Sequence, residues 1–139
     1  MKIMFCYDGS EISQKALAKT LEYFKAMKPN ILLVTVAEQP LDASMENEAL
    51  FEEVEKKKHF ELRKQAEWVA EQGFEVDVVM AVGDAREMLI ETVNRKDPDI
   101  VVIGRRGVSE MKRMLLGSVS AYLVRHAERP VLVMTLERS

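Results

Sequence analysis

Five short apolar runs recur along the chain, and the segments between them have helical rather than strand periodicity. Residues 2–7 are apolar and β-prone and stop at Asp8-Gly9-Ser10, a turn signal that doubles as a helix start. Ile12, Ala16, Leu17, Leu21, Phe24 and Met27 then follow at helical spacing, and Lys28-Pro29-Asn30 ends that helix. Residues 31–37 form a second apolar, β-branched run, so the first three elements make a βαβ unit with a right-handed crossover. Residues 38–47 are polar, contain Pro40 and read as a loop. A long helix is predicted over 48–72, with Leu62, Ala66 and Val69 facing the sheet and Trp68 near the edge of that stripe. Glu52 and Lys56, and likewise Glu53 and Lys57, have the spacing of i,i+4 ion pairs.

Gly73 breaks the long helix, and residues 74–82 alternate in part, Val76, Val78, Met80 and Val82 against Glu75 and Asp77. Such alternation suits a strand at a sheet edge, where one face is less buried. Gly83-Asp84 turns into a helix carrying Ala85, Met88, Leu89 and Val93 and closed by Lys96-Asp97-Pro98. Ile100, Val101, Val102 and Ile103 are wholly apolar, the pattern of a parallel strand covered on both faces, and Gly104 is read as its end. A last helix over 118–127 leads through Arg129-Pro130 to a final strand, residues 131–136. Strands alternating with helices in this way are the signature of a doubly wound α/β sandwich with a parallel sheet and helices on both faces.

The segment after the fourth strand carries the candidate chemistry. Gly104, Gly107 and Gly117 punctuate it, and Ser118, Val119 and Ser120 follow as a helix begins. Glycine lets a backbone N–H approach a ligand oxygen closely, and the first amides of a helix are unpaired and sit at the positive end of its dipole. That combination suits a phosphate. Ser118 and Ser120 add hydroxyl donors, and Arg105, Arg106, Lys112 and Arg113 put cations in the same loop. A plainer reading of the same residues stays open: glycines that only make turns, and Ser118 capping its own helix. The segment is neither a Walker A loop, since no Gly-Lys-Ser/Thr closes it, nor a tight dinucleotide fingerprint.

Composition narrows the classes. At 139 residues, 47% hydrophobic and 31% charged, the chain fits one domain, 1–139, with an ordinary soluble balance. No apolar run approaches the roughly 20 residues that span a bilayer, so no membrane association is expected. A net charge of −3 argues against a nucleic-acid surface, which needs a basic excess. The single cysteine, Cys6, cannot form an internal disulfide and fits a reducing, cytoplasmic compartment. Lying in an apolar strand, it reads as a buried inert thiol, and with His59 and His126 far from it no metal-ligand spacing appears. No nucleophile, histidine and carboxylate combination is visible, so no catalytic residue is assigned.

The run Gly104-x2-Gly107-x9-Gly117-Ser118, with Asp8-Gly9-Ser10 at the end of the first strand, resembles the universal stress protein family in its ATP-binding branch, across nearly the whole chain. The resemblance implies the strand order 3-2-1-4-5, which puts the reversal between the first and fourth strands, whose carboxyl ends are Asp8 and Gly104. It further implies ATP or AMP as ligand. Asp8 would accept from the adenine or ribose region with Cys6 and Tyr7 beside it, Val36 would cover the base, and Ile103 and Gly104 would line the base and ribose side. Gly107, Gly117, Ser118, Val119 and Ser120 would hold the phosphates. Mg²⁺ bridging the phosphates is the only metal entertained, and no carboxylate cluster near the loop offers protein ligands for it.

The final strand, Val131 to Leu136, carries no charge and in the implied order lies at a sheet edge, so pairing with its copy in a homodimer is expected. The functional expectation is therefore an adenine-nucleotide-binding stress-response regulator, compatible with slow ATP hydrolysis. The alternative is a dimeric interaction module of the same fold that works without nucleotide.

Overall fold

The computed structural model describes residues 1–38, 45–106 and 117–136. Gly107, Lys112 and Arg113 of the proposed phosphate loop lie outside the described residues. The elements run β1 (Lys2–Cys6), α1 (Glu11–Phe24) with a 3-10 turn at Lys25–Met27, β2 (Asn30–Ala37), α2 (Met45–Glu71), β3 (Val76–Val82), α3 (Ala85–Lys96), β4 (Ile100–Arg106), α4 (Ser118–His126) and β5 (Val131–Leu136). The strands form one parallel sheet in the order β3-β2-β1-β4-β5.

Alternation along β1 sorts the interior into two cores, because successive side chains of a strand point to opposite faces. Ile3 and Phe5 enter a core with Ala16 and Leu17 of α1, Leu62 and Val69 of α2, and Val102 of β4. Met4 and Cys6 enter the other, with Leu89 and Val93 of α3 and Leu123 of α4. Burial on both faces explains why β1, β2 and β4 read as continuous apolar runs.

Two helix starts at the carboxyl end of the sheet are closed by their own side chains. Ser10 accepts from the Ser13 amide at 3.1 Å and Asp84 from the Glu87 amide at 3.1 Å. Ser10→Ala and Asp84→Ala should each cost about 1 kcal/mol, read as a fall of a few degrees in Tm by thermal denaturation. At the other end of α3, Asp97 adopts a left-handed conformation, its amide donates to the Val93 carbonyl at 2.9 Å, and its carboxylate pairs with Arg129 before β5.

Three expectations change. Gly104 does not end β4, which continues to Arg106 because β5 lies alongside, pairing Gly104 with Met134 and Arg106 with Leu136. A Cβ at Gly104 would stand 2.6 Å from the Ala16 Cβ and 3.6 Å from the Ile12 carbonyl oxygen, so this glycine lets α1 rest directly on β4. The strand predicted from residue 74 begins at Val76, with Phe74 packed against the first core instead. Finally, neither Glu52 with Lys56 nor Glu53 with Lys57 forms an ion pair, although Lys15 and Glu11 do so at the same spacing, 2.9 Å apart. Exposed pairs gain little over solvation, so spacing alone does not close them.

Candidate functional site

β1 and β4 lie side by side, with Cys6 opposite Ile103, and from this pair the chain winds outward in both directions. Beyond their carboxyl ends lies a crevice, the usual ligand position in such sheets. A cavity of about 160 Å³ occupies it. Cys6, Tyr7 and Asp8 line it from the end of β1, Val36 from β2, Ile103 and Gly104 from β4, and Val119 from the first turn of α4. Seven residues singled out in sequence, from four separate elements, thus meet at one cavity.

The remaining selected residues stand apart from that wall. Gly117 and Ser118 are exposed at the start of α4, and Ser120 is buried within its first turn. Several lining residues carried no sequence signal: Val34 and Thr35 on β2, and Ala85 and Leu89 on α3. Ser10 and Ser13 belong to the cap of α1, and the turn at Asp8-Gly9-Ser10 was the available pointer to them. A larger groove, about 680 Å³, lies near Lys28, Trp68 and Phe74 and shares no residue with the crevice.

Asp8 serves the turn as well as the cavity, since its Oδ1 accepts from the Ser10 amide at 2.9 Å. Partial burial pushes the carboxyl pKa up, but hydrogen bonds from the Ser10 hydroxyl and amide and from Ser13, with the nearby Lys58 charge, outweigh it and hold the group below the ordinary range. At neutral pH Asp8 is a charged acceptor. The Tyr7 ring lies in the first core; burial raises its pKa against the hydrogen bonds from Gln14 and Gln65.

Burial pushes the Cys6 thiol up to about 12, which leaves almost no thiolate at neutral pH. An aromatic disulfide reagent should therefore label Cys6 only as fast as the protein unfolds, and denaturant should release the full colour yield at once. Immediate labelling of the folded protein would contradict the burial.

The start of α4 differs from those of α1 and α3. Its N-cap is Gly117, in an extended conformation at φ −60° and ψ 159°, and no side chain closes the first turn. Ser118 is the first helical residue and not the cap, so among the described residues the first amides of α4 have no side-chain acceptor. Gly117 does not need glycine's conformational freedom, and a Cβ there would meet nothing within 4 Å among the described residues.

The chemistry assembled here is that of binding: a charged acceptor, apolar walls from three strands, and a helix start rich in donors. Neither histidine lines the cavity, and the Cys6 thiol is protonated. Among the described residues no group of three His, Cys, Asp or Glu side chains is placed to hold a metal ion.

Comparison with known proteins follows the same outline. The universal stress protein family profile matches residues 1–135. Universal stress protein MJ0577 of Methanocaldococcus jannaschii is 29% identical over 161 residues, covering 99% of this chain and 96% of that one. The solved structure of MJ0577 superposes with a TM-score of 0.82 at 24% identity, over 99% of this chain and 97% of that one. A universal stress protein family member from Arabidopsis thaliana, solved with AMP bound, gives a TM-score of 0.74 at 28% identity over 97% and 91% of the two chains. With the profile running from the first strand into the last, the chain belongs to the universal stress protein family.

Proposed function

We propose that the protein binds an adenine nucleotide, ATP or AMP, in the crevice between β1 and β4 and acts as a cytoplasmic regulator in a stress response. The observation that carries this reading is the start of α4, a helix N-terminus with no side-chain cap among the described residues, set beside a cavity that Asp8 also lines. Such a terminus favours an anion, and the carboxylate favours hydroxyl or amino donors. A nucleotide carries both ends. The AMP-bound Arabidopsis relative supports the ligand class.

The donor set fits the group. A cavity of about 160 Å³ is small beside the several hundred Å³ usual for whole ligands, so it suits the base and sugar while the phosphates run outward along α4. Val36, Ile103 and Val119 would enclose the apolar ring, Asp8 would take a hydroxyl or amino proton, and Cys6 and Tyr7 would close the inner wall. Gly104 would bring the β4 backbone to the sugar. The amides of Ser118, Val119 and Ser120, with the Ser118 hydroxyl, would hold phosphate oxygens, and Gly107 belongs to the same proposed loop. A divalent cation such as Mg²⁺ would enter with the phosphates rather than on a protein cage.

β5 lies at the sheet edge with an uncharged sequence, and we assign it to a two-fold homodimer through Val131–Leu136. Sedimentation equilibrium should return a dimer at micromolar concentration, and a monomer there would refute the assignment. The ligand is tested by calorimetric titration of ATP, AMP and GTP into the purified chain. Saturable heat with ATP or AMP, and weaker heat with GTP, is the expected result. No heat with any nucleotide would overturn the reading and favour the nucleotide-independent module.

A further inference from the structure

We infer that the flank formed by α2 and the open edge of β3 is a second self-association surface, and that its occupant is another copy of this chain. β3 ends the sheet on the side away from β5, and its sequence, VDVVMAV, has one charge and no proline. Asp77 is thus its one device, among those usual in edge strands, against pairing. On the face it shares with α2, Val78 and Val82 stay 37% and 39% exposed on either side of Met80.

Beside that edge runs a groove of about 660 Å³ walled by one stripe of α2: Glu52, Glu55, Lys56, His59, Phe60 and Arg63, with Met80 opposite. The spacing i, i+3, i+4, i+7, i+8, i+11 is that of a single helix face. Phe60 is 61% exposed, with the Lys64 ammonium 5.1 Å from its ring centroid.

Charge order selects the occupant. The stripe begins acidic at Glu52 and Glu55 and ends basic at Arg63, and none of these three forms an ion pair with a described residue. A two-fold contact needs a patch complementary to itself. Reversing the stripe about an axis through its middle sets Glu52 of each copy against Arg63 of the other, Glu55 against Phe60 and Lys56 against His59. Met80, which lines the groove with the stripe, adjoins Val79, the midpoint of Val76–Val82, so antiparallel β3–β3 pairing would place its own two-fold beside the groove. An unrelated extended peptide would satisfy the strand edge but leave the charge order unused.

The test is sedimentation equilibrium on the full chain in a Thr135→Lys background. This exposed β5 position places a charge on an otherwise uncharged edge and so weakens a β5 pair, and association that remains and responds to Glu52→Arg reports the other edge. Concentration-dependent association should persist there. Glu52→Arg should weaken it by about tenfold or more, because two ion pairs become two repulsions. Adding Arg63→Glu should restore it, since the pairs then re-form with their signs exchanged. A monomer at every concentration in this background overturns the proposal and leaves the groove to a different occupant. So does association that Glu52→Arg does not weaken, or a double variant of unchanged Tm that fails to recover. Nucleotide binding plays no part in these outcomes.

Discussion

Gly104→Ala should destabilise the protein by about 1–3 kcal/mol, the usual cost of forcing an extra methyl into a packed interior. In a chain of this size that lowers Tm by roughly 3–10 °C, measurable by calorimetry or circular dichroism. The added Cβ would stand 2.6 Å from the Ala16 Cβ, an atom fixed to the α1 backbone that cannot turn aside. Relief therefore requires α1 to lift from β4, which would open the first core along Leu17 and Val102. Gly104→Val adds two further carbons at the same point and should prevent stable folding. Ala16→Gly combined with Gly104→Ala removes the opposing methyl and should recover part of the loss, less the roughly 1 kcal/mol that a glycine costs inside a helix. If Gly104→Ala melts like the parent, the contact between α1 and β4 is looser than described.

Gly117→Val should separate binding from folding. The backbone there is extended, a conformation valine adopts freely, and the space around the Cβ is empty of described atoms. Tm should change by no more than a few degrees. Nucleotide affinity, however, should fall by tenfold or more in the same calorimetric titration, because the branched side chain would stand over the first amides of α4. Those amides are the proposed phosphate donors, and a close backbone approach tolerates no substituent. Unchanged affinity in a folded Gly117→Val protein would remove α4 from the site, even if nucleotide still bound elsewhere. A large loss of stability would instead mean that glycine has a packing role at this position.

The two glycines show how differently parts of one motif read. Both belong to a single sequence pattern, with similar roles anticipated beside a ligand. In the fold, Gly104 keeps its place on the cavity wall, yet what requires glycine there is the approach of α1. Gly117 has no such neighbour among the described residues. Likewise Asp8 reads in sequence as a turn residue or a ligand acceptor, and the structure places one carboxylate in the turn while it lines the cavity. Ala85 and Leu89 were not foreseeable, since a small residue and a core-facing leucine at the start of α3 look the same whether or not a cavity adjoins them.

The sequence alone determined the succession of strands and helices, the two buried faces of the strand at residues 100–103 and the position of the turn at Asp8. These follow from periodicity, capping and breaker residues, all set by near neighbours along the chain. The tertiary structure decided how far β4 extends, which glycine is held by packing, which helix start is left without a side-chain cap, and which residues of α3 reach the crevice. Each depends on distances between segments remote in sequence, and those distances arise only when the helices settle onto the sheet.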